Sequence, residues 1–268
     1  MSSHVTSADG TPIAYERAGS GPSVILVGGG ATDRTENAPL AAALAERFTV
    51  LNYDRRGRGA SGDTLPYSVA REIEDIEALV AAAGGSAHLY GASSGGALAL
   101  EAAAAGVAVD RLAVYEVPYN TAEDWPQQWG AYVGELGGLL AAGRRGDAFA
   151  LFMRLAETPE DVIASARDAP FWADLEALAP TLAYDAAVLG DGHPPTARFA
   201  DITQPTLIAT GVASREPGAA RWVAALEGAA DAIAASLPHA VRRTVEGQTH
   251  VADPAVIAAL LTEFFVAQ

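Results

Sequence analysis

The chain has 268 residues, half of them hydrophobic and 7% aromatic, enough apolar material to bury a large core and unlike a disordered chain. Thirty-three acidic against seventeen basic residues leave a formal charge of −16, which repels polyanions and anionic membrane surfaces and argues against nucleic acid or membrane as a partner. Cysteine is absent, which excludes disulfides, thiolate nucleophiles and cysteine-bound metals together.

Residues 1–10 hold no basic segment followed by an apolar run, and the alanine-rich stretches are broken by Glu, Asp, His or Gly before reaching spanning length. A soluble, cytoplasmic protein without a signal peptide is expected. Residues 3–7 and 12–17 read as short strands joined by the turn Ala8-Asp9-Gly10. The run 23–27 is continuously apolar and closed by Gly28, Gly29 and Gly30, as for a strand buried on both faces. Residues 40–47 have helical periodicity, 48–53 form another apolar strand, and 68–83 an amphipathic helix. A strand at 87–90 runs directly into Gly91-Ala92-Ser93-Ser94-Gly95-Gly96 and a helix through Ala105, and a further strand covers 111–115. This alternation implies a parallel sheet with helices on both faces and right-handed crossovers.

From 121 to about 189 the pattern turns helical, with helices expected at 121–142, 147–157, 159–169 and 171–189. A strand at 206–211, a helix at 219–237, a strand at 241–245 and a last helix at 254–266 resume the alternation. The expected organisation is an α/β core formed by residues 1–118 and 201–268, with a helical cap inserted at 119–200.

Gly91, Ser93 and Gly95 form G-x-S-x-G, in which a serine occupies a sharp strand-to-helix turn and only small neighbours leave room for the backbone. The bare pattern is weak, and the flanking strand and helix give it meaning. A serine hydroxyl needs an adjacent base to become nucleophilic. Of five histidines, His4 lies near the N-terminus, His88 in an apolar strand, and His193 and His239 beside prolines. Only His250 sits in a loop, Gly247-Gln248-Thr249-His250, between the last strand and the last helix. No metal, dinucleotide or phosphate-loop motif is present, and no cofactor is expected.

Together these residues resemble the α/β-hydrolase superfamily across nearly the whole chain. Residues 27–30 are similar to its glycine-rich oxyanion loop, although Gly28 stands where many members have histidine. Residues 53–59 with Ser61-Gly62 resemble its arginine- and glycine-rich turn, where Asp54 and Arg55 to Arg58 are expected to brace the turn rather than touch substrate. The resemblance implies an α/β-hydrolase fold with a mostly parallel eight-stranded sheet, Ser93 as nucleophile and His250 as base. It also implies backbone amides of Ser94 and Gly30 as oxyanion donors, with Gly29 as a fallback. The position where most members carry an aspartate is Ser214, so the acid is expected to be Glu116, which follows the strand 111–115 as in one branch of the haloalkane dehalogenases. Glu216 and no acid at all are the alternatives.

Ten large side chains fall in the insertion: Tyr119, Trp125, Trp129, Tyr132, Phe149, Phe152, Met153, Phe171, Trp172 and Tyr184. They suggest an apolar, aromatic pocket, with Trp125, Trp129, Phe152 and Trp172 as its substrate-binding members. The expected activity is hydrolysis of an ester, thioester or related acyl bond of a small hydrophobic or aromatic substrate through an acyl-enzyme. A cofactor-free cyclase or lyase, or a small-molecule sensor, is the alternative. A small-molecule substrate is the expected partner, and a homodimer is allowed.

Overall fold

The structure, a computed structural model, describes residues 3–211 and 220–267. In chain order the first half comprises β1 (Ser3–Thr6), β2 (Pro12–Ala18), β3 (Ser23–Val27), α1 (Ala38–Leu44), β4 (Thr49–Tyr53), α2 (Val69–Ala83), β5 (Ala87–Ala92), α3 (Ser94–Ala104) and β6 (Val109–Tyr115). Helices α4 (Trp125–Ala141), α5 (Arg145–Leu155), α6 (Glu160–Arg167), α7 (Trp172–Leu178), α8 (Leu182–Leu189) and α9 (Thr196–Phe199) follow without an intervening strand. The chain then returns through β7 (Thr206–Gly211), α10 (Ala220–Ser236), β8 (Ala240–Val245) and α11 (Pro254–Val266).

All eight strands form one sheet in the order β1-β2-β4-β3-β5-β6-β7-β8. Only the β1–β2 and β2–β4 pairs are antiparallel. The central strands are buried on both faces over most of their length, which explains the continuous apolar run of β3. In β3, Ile25 and Val27 point into one hydrophobic cluster while Val24 and Leu26 point into the other. The first cluster is closed by α2, α3, α10 and the inserted helices, the second by α1 and α11.

The strand order places the reversal between β3 and β5. The chain leaves β3 for β4 on one side and then crosses to β5 on the other, so the carboxyl ends of β3 and β5 flank a crevice. Open α/β sheets bind ligands at such a switch point.

The inserted helices depart from expectation in the short α9, which was not foreseen, and at one further place. Residues 171–189, read as one helix, break into α7, a short 3-10 turn at Ala179–Thr181, and α8. Pro180 causes the break, since it offers no N–H and its ring clashes with the preceding turn.

The arginine-rich turn after β4 is a buried scaffold, as expected. Asp54, Arg55, Arg56 and Arg58 are each at most 2% exposed. Asp54 accepts the backbone N–H groups of Arg34 and Ala60, both at 2.8 Å. Arg56 binds Asp75 at 2.7 and 2.8 Å and Asp9 at 3.0 Å, tying the turn to α2 and to the β1–β2 hairpin. Removing one partner of a buried ion pair strands the other charge. Arg56→Ala should therefore lower unfolding stability by about 3–5 kcal/mol, read from the urea midpoint.

Candidate active site

Strand β5 ends at Ala92 and α3 begins at Ser94, so Ser93 alone turns the chain. It does so at φ 55°, ψ −132°, a conformation that costs a non-glycine residue on the order of 1–3 kcal/mol. Its N–H donates to the Tyr115 carbonyl of β6 at 2.9 Å, and its carbonyl accepts from Gly96 N at 2.9 Å. The glycine spacing is steric: a Cβ on Gly91 would lie 2.3 Å from the Gly95 carbonyl oxygen, and one on Gly95 would lie 2.4 Å from those of Val27 and Gly28. Ala31 (φ 51°) and Glu116 (φ 48°) share the strained region. These three residues follow β5, β3 and β6, so strain concentrates at the carboxyl edge of the central strands.

Glu116 directly follows β6 and is 5% exposed. One of its carboxylate oxygens accepts the N–H of Gly211, at the end of β7, at 2.8 Å; the other lies 2.8 Å from Nδ1 of His250. The histidine loop is held in place from two sides. The Tyr115 hydroxyl donates to the Thr249 carbonyl at 2.6 Å, and Asp253 N donates to the Gln248 side chain at 2.7 Å. Asp253 then caps α11 by accepting from Ala255 N at 2.8 Å, so the loop ends on a firm helix start. Glu116 is thus the carboxylate on His250, while Ser214 and Glu216 lie outside the described residues. His88 lies elsewhere, stacked on Phe265 with ring centroids 4.6 Å apart.

Gly30 and Ser94 both border the same cavity as Ser93 and His250. The loop after β3 is fixed from below by the arginine turn: Arg55 donates to the Gly28 carbonyl at 3.4 Å, and Arg58 to those of Gly29 and Thr32. Both guanidiniums also bind Asp185, on α8, at 2.8 and 2.7 Å. Burial by itself would push the Asp185 carboxyl up, but Arg58 and Arg55 outweigh it and hold it below the ordinary carboxylate range. Glu72 of α2 behaves alike, lowered by Arg55 against its burial and bound to it twice at 2.7 Å.

The cavity measures about 610 Å³. Trp125, Trp129 and Tyr132 of α4 and Phe152 of α5 line its inserted-helix side, with Leu182 and Leu189 of α8. Trp172 does not line it, contrary to expectation. Its indole N–H donates to Glu176 at 3.0 Å, its ring meets Phe149 edge-on at 5.8 Å, and Arg167 covers it. Because the helix breaks at Pro180, α8 faces the cavity and α7 contributes none of its lining. Phe171 is 53% exposed, and Tyr184 stacks on Tyr67 at 3.8 Å. Asp185 and Trp222 are among the lining residues missed in the sequence; the Trp222 ring stands 6.1 Å from that of His250, edge to face.

The model of the alpha/beta hydrolase family matches residues 24–260. The chain belongs to that family. As a hydrolase of this family it is similar to an alpha/beta hydrolase from Sphaerobacter thermophilus DSM 20745, with 49% identity, TM-score 0.87, and 98% of this chain and 100% of that one covered. It shares the fold of the enol-lactonase from Burkholderia xenovorans LB400, at 21% identity, TM-score 0.71, and 99% and 100% coverage. It is also 35% identical over 96 residues to the uncharacterized hydrolase YraK of Bacillus subtilis (strain 168). That match spans 34% of this chain and 35% of YraK's length. Among the described residues no helix is long and apolar enough to cross a membrane.

The lowered Asp185 and Glu72 carboxyls make the site acid-sensitive in a definite direction. A group depressed in the fold stabilises it fully above its unfolded pKa, about 4, and loses that contribution as pH falls through the folded value. The urea midpoint should therefore stay level from neutral pH down to about 4 and drop only below it, and Asp185→Asn should flatten the drop.

Proposed function

We propose that this hydrolase cleaves an ester, thioester or related acyl bond through a covalent acyl-enzyme on Ser93. The observation carrying the reading is the 2.8 Å contact between Glu116 and His250 Nδ1, in the cavity that Ser93 also borders. With Nδ1–H donated to Glu116, the imidazole presents Nε2 as a base. Ser93 Oγ attacks the substrate carbonyl carbon while its proton passes to Nε2. The carbonyl electron pair moves onto oxygen, where the amides of Ser94 and Gly30 receive it, a service worth about 2.7–4 kcal/mol per donor. Collapse returns the proton from His250 to the leaving group, and water repeats the sequence to release the acid. Glu116 stays ionised throughout and stabilises the imidazolium.

Residues 119–200 act as the cap in this reading, and Trp125, Trp129 and Phe152 give the substrate an apolar, aromatic bed. A volume of about 610 Å³ suits a small hydrophobic or aromatic substrate. The enol-lactonase that shares the fold also acts on a cyclic ester, in keeping with acyl chemistry. The contact of Glu116 with His250 favours this reading over a non-hydrolytic cyclase or lyase, since no carboxylate is then needed at position 214.

A fluorophosphonate probe should add covalently to the wild-type protein and not to Ser93→Ala, read by intact mass. An activated aryl ester should give a burst of phenol, and Glu116→Gln should lower kcat by as much as about 10,000-fold. Labelling that persists in Ser93→Ala, or a Glu116→Gln enzyme with full kcat, would refute the mechanism.

A further inference from the structure

We infer that Asp185 is a positioning residue that sets the two backbone donors of the oxyanion site relative to each other, an inference that rests on the acyl-transfer reading above. Its side chain comes from α8, in the inserted helices, and is buried in the wall of the cavity. One carboxylate oxygen accepts from Ser94 Oγ at 2.8 Å, Arg55 at 2.8 Å and Arg58 at 2.7 Å. The other accepts from the backbone N–H of Ala31 at 3.2 Å. Ser94 supplies one donor amide, and Ala31 is the residue immediately after Gly30, which supplies the other. A single carboxylate therefore grips both halves of the site, which belong to different strand ends and lie far apart in sequence. Arg55 repeats the bridge more loosely, reaching the Gly28 carbonyl at 3.4 Å and Ser94 Oγ at 3.3 Å.

Two further observations fit positioning and not mere burial of a charge. Ala31 holds a positive φ of 51°, which a non-glycine residue keeps only when its surroundings enforce it, and the Asp185 oxygen captures its N–H. A lone negative charge here would oppose an oxyanion. Arg55 and Arg58 cancel it, so the carboxylate orients the amides without adding a net anionic field. Since Asp185 arrives from an inserted helix, the donor pair is complete only when α8 is seated.

The test compares a matched inhibitor pair. An aryl trifluoromethyl ketone is attacked by Ser93 Oγ, whose proton goes to His250 while the carbonyl pair becomes an oxyanion; its methyl ketone analogue binds without forming that bond. Asp185→Ala should weaken the trifluoromethyl ketone by about 100-fold and cut kcat by a similar factor, with the methyl ketone and KM changing by no more than about threefold. Ser94→Ala, which removes only the hydroxyl contact, and Asp185→Asn, which keeps an acceptor at the same place, should each show the same selective loss at about tenfold. These two variants decide the matter if Asp185→Ala does not fold. Equal losses on both ketones, or none on either in the folded variants, would overturn the inference alone. A wild-type protein that binds the trifluoromethyl ketone no better than the methyl ketone would overturn the acyl-transfer reading, and this one with it.

Discussion

Between β3 and α3 there is no room for a side chain. The backbone of Gly95 rests against the carbonyls of Val27 and Gly28, and a single added carbon would stand 2.4 Å from their oxygens. That contact brings the strand after which the glycine loop begins against the helix that starts at Ser94. It fixes the serine turn at the sheet's point of reversal, where neighbouring strands leave a crevice. The histidine loop, the Glu116 turn and the inserted helices are arranged around a position that this packing has already set.

Beneath that contact lies a layer of charge that the fold must neutralise internally. Arg55 and Arg58 face Glu72 and Asp185, and Arg56 faces Asp75 and Asp9, all but Asp9 buried. Buried pairs of this sort add little net stability, because desolvation consumes most of the attraction. Their value here is geometric. The guanidiniums reach three carbonyls of the glycine loop, so a segment of small residues with weak preferences of its own is held in one shape.

Much of this was legible in the residues because the physics is local. Strands buried on both faces are mostly apolar, and β3 and β4 were read that way. The glycines around Ser93 and the loop position of His250 mark a backbone requirement and a place in the chain order. Glu116 was one candidate among alternatives, and its contact with His250 is tertiary, made across 134 residues of chain. Trp172, expected in the pocket, lies outside it, and Trp222, which was given no role, lines it, for the same reason: which face of a helix meets a cavity depends on packing that no window of sequence contains. Two signals were present and unused. Pro180 inside a helical stretch foretells the break that turns α7 away. Asp185 is a carboxylate on a helix otherwise rich in apolar residues, a cost that asks for a partner.

The carboxylate that meets His250 sits one residue past β6, at the root of the segment that carries the aromatic helices. In the proposed mechanism, chemistry and specificity thereby hang from one short stretch of chain. Gly211, the last residue of β7, donates its N–H to the same carboxylate and so ties a second strand end to it. Insertions between β6 and α4 would therefore, in that mechanism, disturb the proton relay and the substrate bed at one stroke.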